Sequence, residues 1–100
     1  MGRVESKIQD DIILYLRGLD KTYVLNYGGS ASGAKGTPDV LACHNGRFVA
    51  FEVKRPGDDY EEPSKVQQIR VRQIRKAGGT AEVVTSVADV ARILKGEVTA

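Results

Sequence analysis

Two apolar runs, "PDVLACH" and "RFVAFEVK", meet at Asn45-Gly46. Asn-Gly between alternating apolar segments is a strong hairpin signal, because a type I′ turn needs positive φ at both central residues. A two-residue turn then sets the register by counting. His44 faces Arg47, Cys43 faces Phe48, Ala42 faces Val49, Leu41 faces Ala50, Val40 faces Phe51, and Asp39 faces Glu52. Counting outward from a hydrogen-bonded pair at the turn makes Asp39 and Glu52 a non-hydrogen-bonded pair. Their Cβ atoms are then about 4.5–5.5 Å apart. Lys54, two residues beyond Glu52, projects from the same face, while Val40, Ala42, Val49, Phe51 and Val53 share the opposite one and must be buried.

Like charges directly opposite each other destabilise a sheet. A strand pair that served only as core would carry threonine or valine in one of those places. Two close carboxylates make physical sense around a divalent cation such as Mg²⁺, which takes oxygen ligands and is held by one or two carboxylates plus water and phosphate. The plainer alternative is an acidic strand end neutralised by Lys54 and a neighbouring arginine. The fixed register and the lysine on the same face favour the cation.

The rest of the chain supplies an α/β frame. "VESKIQDDIILYLRGL" spaces Val4, Ile8, Ile12, Leu16 and Leu19 for an amphipathic helix over 3–18. "TYVLNY" (22–27) reads as a strand and "GGSASGAKG" (28–36) as a loop. The glycine and lysine spacing of that loop fails for a phosphate-binding motif, and no helix follows it. After the hairpin, "RPGDDYEEP" is a charged loop, and Ser64 caps a helix, "SKVQQIRVRQIRKA", that stops at Gly78-Gly79. "TAEVVTS" is a further strand, and Ser86 and Asp89 form a capping box on the last helix. The order α-β-β-β-α-β-α predicts a mixed sheet flanked by helices.

At 100 residues, 41% apolar and 28% charged, the chain is expected to be one soluble domain over 1–100. A net charge of +2 permits an anionic partner without demanding one. The single Cys43 excludes an internal disulfide and a zinc-thiolate cluster, and it reads as a small buried hydrophobe. No apolar run approaches membrane-spanning length, and the first residues, "MGRVESKIQDD", carry no apolar signal region. Met1-Gly2 with Ser6 is too short a motif to indicate lipidation. The expected location is cytoplasmic, for a cellular or a phage-encoded protein acting in its host.

"GTPD" (36–39), twelve intervening residues, then "EVK" (52–54) is similar to the PD-(D/E)xK nuclease signature. The closer resemblance is to its VRR-NUC branch, the virus-type replication-repair nucleases. It extends over nearly the whole chain, through Glu5 in the first helix, "SKVQ" opening the second and "AGG" before the last strand. The resemblance implies a restriction-endonuclease-like core and a Mg²⁺-dependent endodeoxyribonuclease, with Mn²⁺ as a substitute. It implies Asp39 and Glu52 as metal ligands together with the Val53 carbonyl. Glu5 would act as a further ligand or through a bound water, and Lys54 would orient the attacking water and offset charge on the phosphate. Gln67 corresponds to the glutamine that opens the family's second helix. Branched DNA such as a four-way junction, and a homodimer that cuts it, are further implications.

The residues carry readings of their own. Glu5 continues the buried stripe of Ile8, Ile12 and Leu16, and a carboxylate there needs a partner; a favourable charge at a helix N-terminus is the alternative. Gln67 makes a capping box with Ser64, yet it shares a face with Val71 and Ile74. Arg70 points into the same sector, suited to phosphate or carboxylate contact, or to packing on the loop at 55–63. Lys35 and Arg55 flank the site as candidates for phosphate contact. Lys65, Arg72, Arg75 and Lys76 read as a solvated face or a DNA-backbone contact. His44, beside the turn, is far from the acids. Tyr23 and Tyr27 share one face of an expected edge strand, suiting either an interface or the core. The rival functions are a binding module that has lost catalysis and an assembly protein in which Asp39, Glu52 and Lys54 merely pair.

Overall fold

The computed structural model describes residues 3–25 and 35–96. Helix α1 (Arg3–Arg17) leads into a meander of β1 (Thr22–Leu25), β2 (Val40–His44) and β3 (Arg47–Val53). Helix α2 (Lys65–Lys76) then crosses to β4 (Thr80–Val84), and α3 (Val87–Leu94) follows. The sheet runs β1-β2-β3-β4. Its first three strands are antiparallel, and β4 lies parallel to β3. This is the expected element order and the expected mixed sheet. The remainder of the expected strand at 22–27, and residues 28–34 of the expected loop, lie outside the described residues.

The hairpin register matches the count from the turn, from His44 opposite Arg47 to Val40 opposite Phe51. Asn45 (φ 51°) and Gly46 (φ 79°) both take the positive φ that a type I′ turn requires. Val40, Ala42, Val49, Phe51 and Val53 are buried against Ile12, Ile13 and Leu16 of α1 and Val90 of α3. Helix α2 covers the other face more sparingly. Val71 and Ile74 pack on Leu41, Ala50 and Ala81, and Arg75 reaches across to the Ala81 carbonyl and the Glu82 carboxylate. Arg75, read from the sequence as part of a solvated or DNA-facing row, is thus a tie between α2 and β4.

Three expectations change. Val4 is exposed and lies outside the core. Cys43 is exposed, since α2 covers the site face only as far as Leu41 and Ala50. The capping box of α3 is half formed: Ser86 Oγ accepts the Asp89 amide. The Asp89 carboxylate reaches one residue further back, to the amide and hydroxyl of Thr85. Burial raises the Asp89 pKa, but the Thr85 bonds and Arg92 outweigh it and hold the carboxyl below its ordinary value.

Candidate functional site

Asp39 lies one residue before β2 begins, and Glu52 is the penultimate residue of β3. Pro38 has no N–H and breaks the regular ladder at this point. The Asp39 side chain takes over part of the ladder's role, its Oδ2 accepting the Val53 amide at 2.8 Å. On the far side of β3 the Lys54 amide bonds to the Val84 carbonyl at 2.9 Å, so the β4 pairing continues past Glu52. Glu52 therefore sits between two paired neighbours on a strand buried from both faces, and it is only 3% exposed.

A buried carboxylate is costly unless it is paired and hydrogen-bonded. Glu52 Oε2 accepts from Gln67 Nε2 at 2.8 Å and lies 4.0 Å from Lys54 Nζ. Glu52 Oε1 has no partner. Among the described residues it is the one buried side-chain oxygen or nitrogen so placed. Burial first, and the charge of Asp39 second, push the Glu52 carboxyl up to about 8. Lys54 opposes that rise and Glu5 adds to it. Burial also raises Asp39, against the pull of the Val53 amide, the neighbouring Glu52 carboxyl and the Lys54 charge.

Glu5, half-buried in the first turn of α1, is near enough for its charge to act on both carboxyls. However, no three histidine, cysteine or acidic side chains among the described residues gather closely enough to hold an ion by themselves. Lys54 is the cation whose charge acts on both carboxyls, and Asp39, Glu52 and Glu5 are the acids gathered around it. The donor set fits a hard cation that takes two carboxylates and completes its shell with backbone, water or phosphate oxygens. The orphaned Glu52 Oε1 is the atom such an ion would satisfy.

Gln67 reconciles its two sequence readings. Its Oε1 accepts the Ser64 amide at 2.8 Å, and its own amide bonds to Ser64 Oγ at 3.1 Å, completing the capping box. The amide nitrogen at the other end of the side chain is then aimed at Glu52. Arg70 is not brought to the carboxylates. It donates to the Lys35 carbonyl at 2.9 Å and to Gln73 Oε1 at 3.0 Å. The loop at 55–63 is not its hydrogen-bond partner. Lys35 is exposed and Arg55 half-buried. His44 stays at the turn, with its Nδ1 2.7 Å from Thr22 Oγ1. A hollow of about 430 Å³ lies at that end too, lined by His44, Arg47 and Thr80, far from the acids.

The sheet face that carries Asp39 and Glu52 continues toward the turn as an uncovered apolar row. Tyr23 pairs with Cys43, and Cys43 pairs with Phe48. Tyr23 is 71% exposed and Phe48 43%, with Leu25 exposed beside them. Tyr27 lies outside the described residues.

A four-stranded mixed sheet with α1 and α3 on one face and α2 on the other is a restriction-endonuclease-like α/β core. The chain adopts, in particular, the fold of solved VRR_NUC structures. One, described as "VRR_NUC domain", is similar with a TM-score of 0.74 at 24% identity, over 94% of this chain and 97% of that one. Another, a "VRR_NUC domain protein", gives 0.69 at 16% identity, over 96% and 88%. No family model matches the sequence, and no curated protein matches it. No described helix is long and apolar enough to cross a membrane.

Proposed function

We propose that this protein is a divalent-metal-dependent endodeoxyribonuclease of the VRR_NUC type. The observation that carries the reading is a buried, unpartnered Glu52 oxygen beside Asp39 on a strand interior. A purely structural sheet would gain stability by replacing either acid. Two solved structures named for the VRR_NUC domain share the fold.

In this reading Asp39, Glu52 and the Val53 carbonyl would hold Mg²⁺, or Mn²⁺ in its place, with Glu5 as a further ligand or acting through a water. When bound there, such an ion would supply Lewis-acid polarisation of the phosphodiester and lower the pKa of a water for attack. Gln67 fixes the orientation of Glu52 through Oε2 and leaves Oε1 for the ion. Lys54, 13% exposed at the rim of the acids, orients the attacking water and offsets negative charge gathering on the phosphate. In this reading Lys35 and Arg55 would contact the flanking phosphates. Incubation with linear duplex, flap and four-way-junction DNA, in Mg²⁺, Mn²⁺ or EDTA, tests the reading. Cleavage that needs the metal and favours the junction is the expected result. Binding without cleavage under every condition would leave only a nucleic-acid-binding module.

Junction cleavage needs two symmetric cuts, and one domain with one site supplies one, so the working form is a two-fold dimer. The uncovered row of Tyr23, Leu25, Cys43 and Phe48 supports this, because exposed aromatics grouped on one face suit an interface. Tyr23→Arg should convert the dimer to a monomer by light scattering at micromolar concentration. Tyr23 is largely exposed within one chain, so the substitution should leave thermal stability nearly unchanged. A wild-type monomer would remove the dimer while leaving the nuclease proposal in place.

A further inference from the structure

We propose that Arg70 is a positioning residue for Asp39, acting as a latch between α2 and the segment that carries this acid. The inference rests on the nuclease reading above and extends it to how the two carboxylates are held together. Glu52 lies on β3 and is paired with Val83 of β4, whereas Asp39 lies at the end of a segment, 35–39, that leads into β2. Something must fix that segment, since the site works only if Asp39 stays beside Glu52.

Three contacts among the described residues contribute to this, and two come from consecutive turns of α2. Arg70 Nε donates to the Lys35 carbonyl at 2.9 Å, and its Nη1 donates to Gln73 Oε1 at 3.0 Å, so the guanidinium is held at both ends. Next to Lys35, Gly36 lies flush against the helix. A Cβ there would stand 2.3 Å from Val66 Cγ1, and Gly36 has φ +83°, a conformation that other residues rarely adopt. From Gly36 only Thr37 and the buried Pro38 intervene before Asp39, and the proline ring removes one backbone freedom from that short link. At its far end, Asp39 Oδ2 accepts the Val53 amide.

The same turns of α2 hold the other acid. Gln67, between Val66 and Arg70, donates to Glu52. One helix thus orients Glu52 directly and Asp39 through the backbone of 35–36. Helix α2 is itself fixed to the sheet by Val71, Ile74 and the Arg75 contacts to Ala81 and Glu82. Arginine suits the latch because its planar fork meets two acceptors at a set angle. An ammonium lacks that planar fork. This use of Arg70 differs from the phosphate contact expected from sequence, and the two make opposite predictions.

The test compares wild-type protein with Arg70→Ala, Arg70→Lys and Gln73→Ala. Four quantities are read: melting temperature, Mn²⁺ affinity by calorimetry, affinity for junction DNA in EDTA, and kcat and KM for cleavage. Outer partners of metal ligands typically change metal affinity or activity by about 10–100-fold. Arg70→Ala should weaken Mn²⁺ binding by about tenfold and lower kcat, with KM, DNA affinity in EDTA and melting temperature nearly unchanged. Arg70→Lys should recover part of the loss, and Gln73→Ala should show a smaller loss of the same kind. Weakened DNA binding in EDTA with intact Mn²⁺ affinity would make Arg70 a phosphate contact and overturn the latch. Unchanged Mn²⁺ affinity in all three variants would overturn it as well. Should Arg70→Ala fail to fold, Arg70→Lys and Gln73→Ala decide by the same criteria. A wild-type protein that binds no Mn²⁺ would instead defeat the nuclease reading, and the latch with it.

Discussion

Asp39→Asn and Glu52→Gln should each slow DNA cleavage by about three orders of magnitude or more under single-turnover conditions in saturating Mg²⁺. Lewis-acid stabilisation of a phosphoryl transition state is worth several kcal/mol, and each 1.36 kcal/mol is about tenfold in rate. Both acids face one small volume, and Glu52 Oε1 has no other partner, so neither can substitute for the other. Lys54→Ala should also abolish cleavage, through loss of the charge near Glu52, while DNA binding survives. The measurement is the rate of product formation on end-labelled DNA. Normal cleavage by either acid variant would remove Asp39 and Glu52 as the metal ligands.

The same acids should weaken the metal-free protein, in a pH-dependent way. The Glu52 carboxyl titrates at about 8 in the folded protein against an ordinary value of 4.5. A raised acid favours folding while it is protonated. Its contribution is therefore complete below about pH 4.5 and is lost as pH rises through about 8. Burial raises Asp39 as well, which acts in the same direction. Glu52→Gln keeps the shape and stays neutral at every pH. In EDTA it should be more stable than wild type by a few kcal/mol above pH 8, on the scale of 1.36 kcal/mol per pKa unit. The difference should shrink toward zero below about pH 4.5. Saturating Mg²⁺ should reverse the order near neutral pH, because a ligand bound only by the native state stabilises it. Urea denaturation of both proteins at pH 5, 7 and 9, with and without Mg²⁺, reads all of this. A wild type more stable than Glu52→Gln at pH 9 in EDTA would show that Lys54 and Gln67 already compensate the charge.

The geometry of the candidate site was more legible in the sequence than its surroundings, and the reason is the range of the forces involved. Asn45-Gly46 sets the hairpin register locally, so the shared face of Asp39, Glu52 and Lys54 follows from counting. Capping chemistry is equally local, which is why Ser64 and Gln67 were legible. The second role of Gln67 was only suggested, by its position on the inner face of α2. Where α2 lies across the sheet is a tertiary fact, and no pattern within a single element encodes it. The exposure of Cys43, the tie from Arg75 to β4 and the grip of Arg70 on Lys35 all depend on that placement. Gly36 did carry a signal. A glycine directly before "TPD" marks a close approach of backbone to another element, but the sequence alone does not name Val66 as its neighbour. Asp89 shows the limit of a motif even locally, since its carboxylate caps Thr85 one residue beyond the expected box.

Calorimetric titration of the purified protein with Mn²⁺, run beside Asp39→Asn and Glu52→Gln, tests the central claim most directly. It requires no knowledge of the DNA substrate. A site in the wild type that is lost or greatly weakened in both variants, each still folded by circular dichroism, is the predicted result. No binding by the wild type, or equal binding by all three proteins, would contradict the assignment of Asp39 and Glu52 as a metal centre.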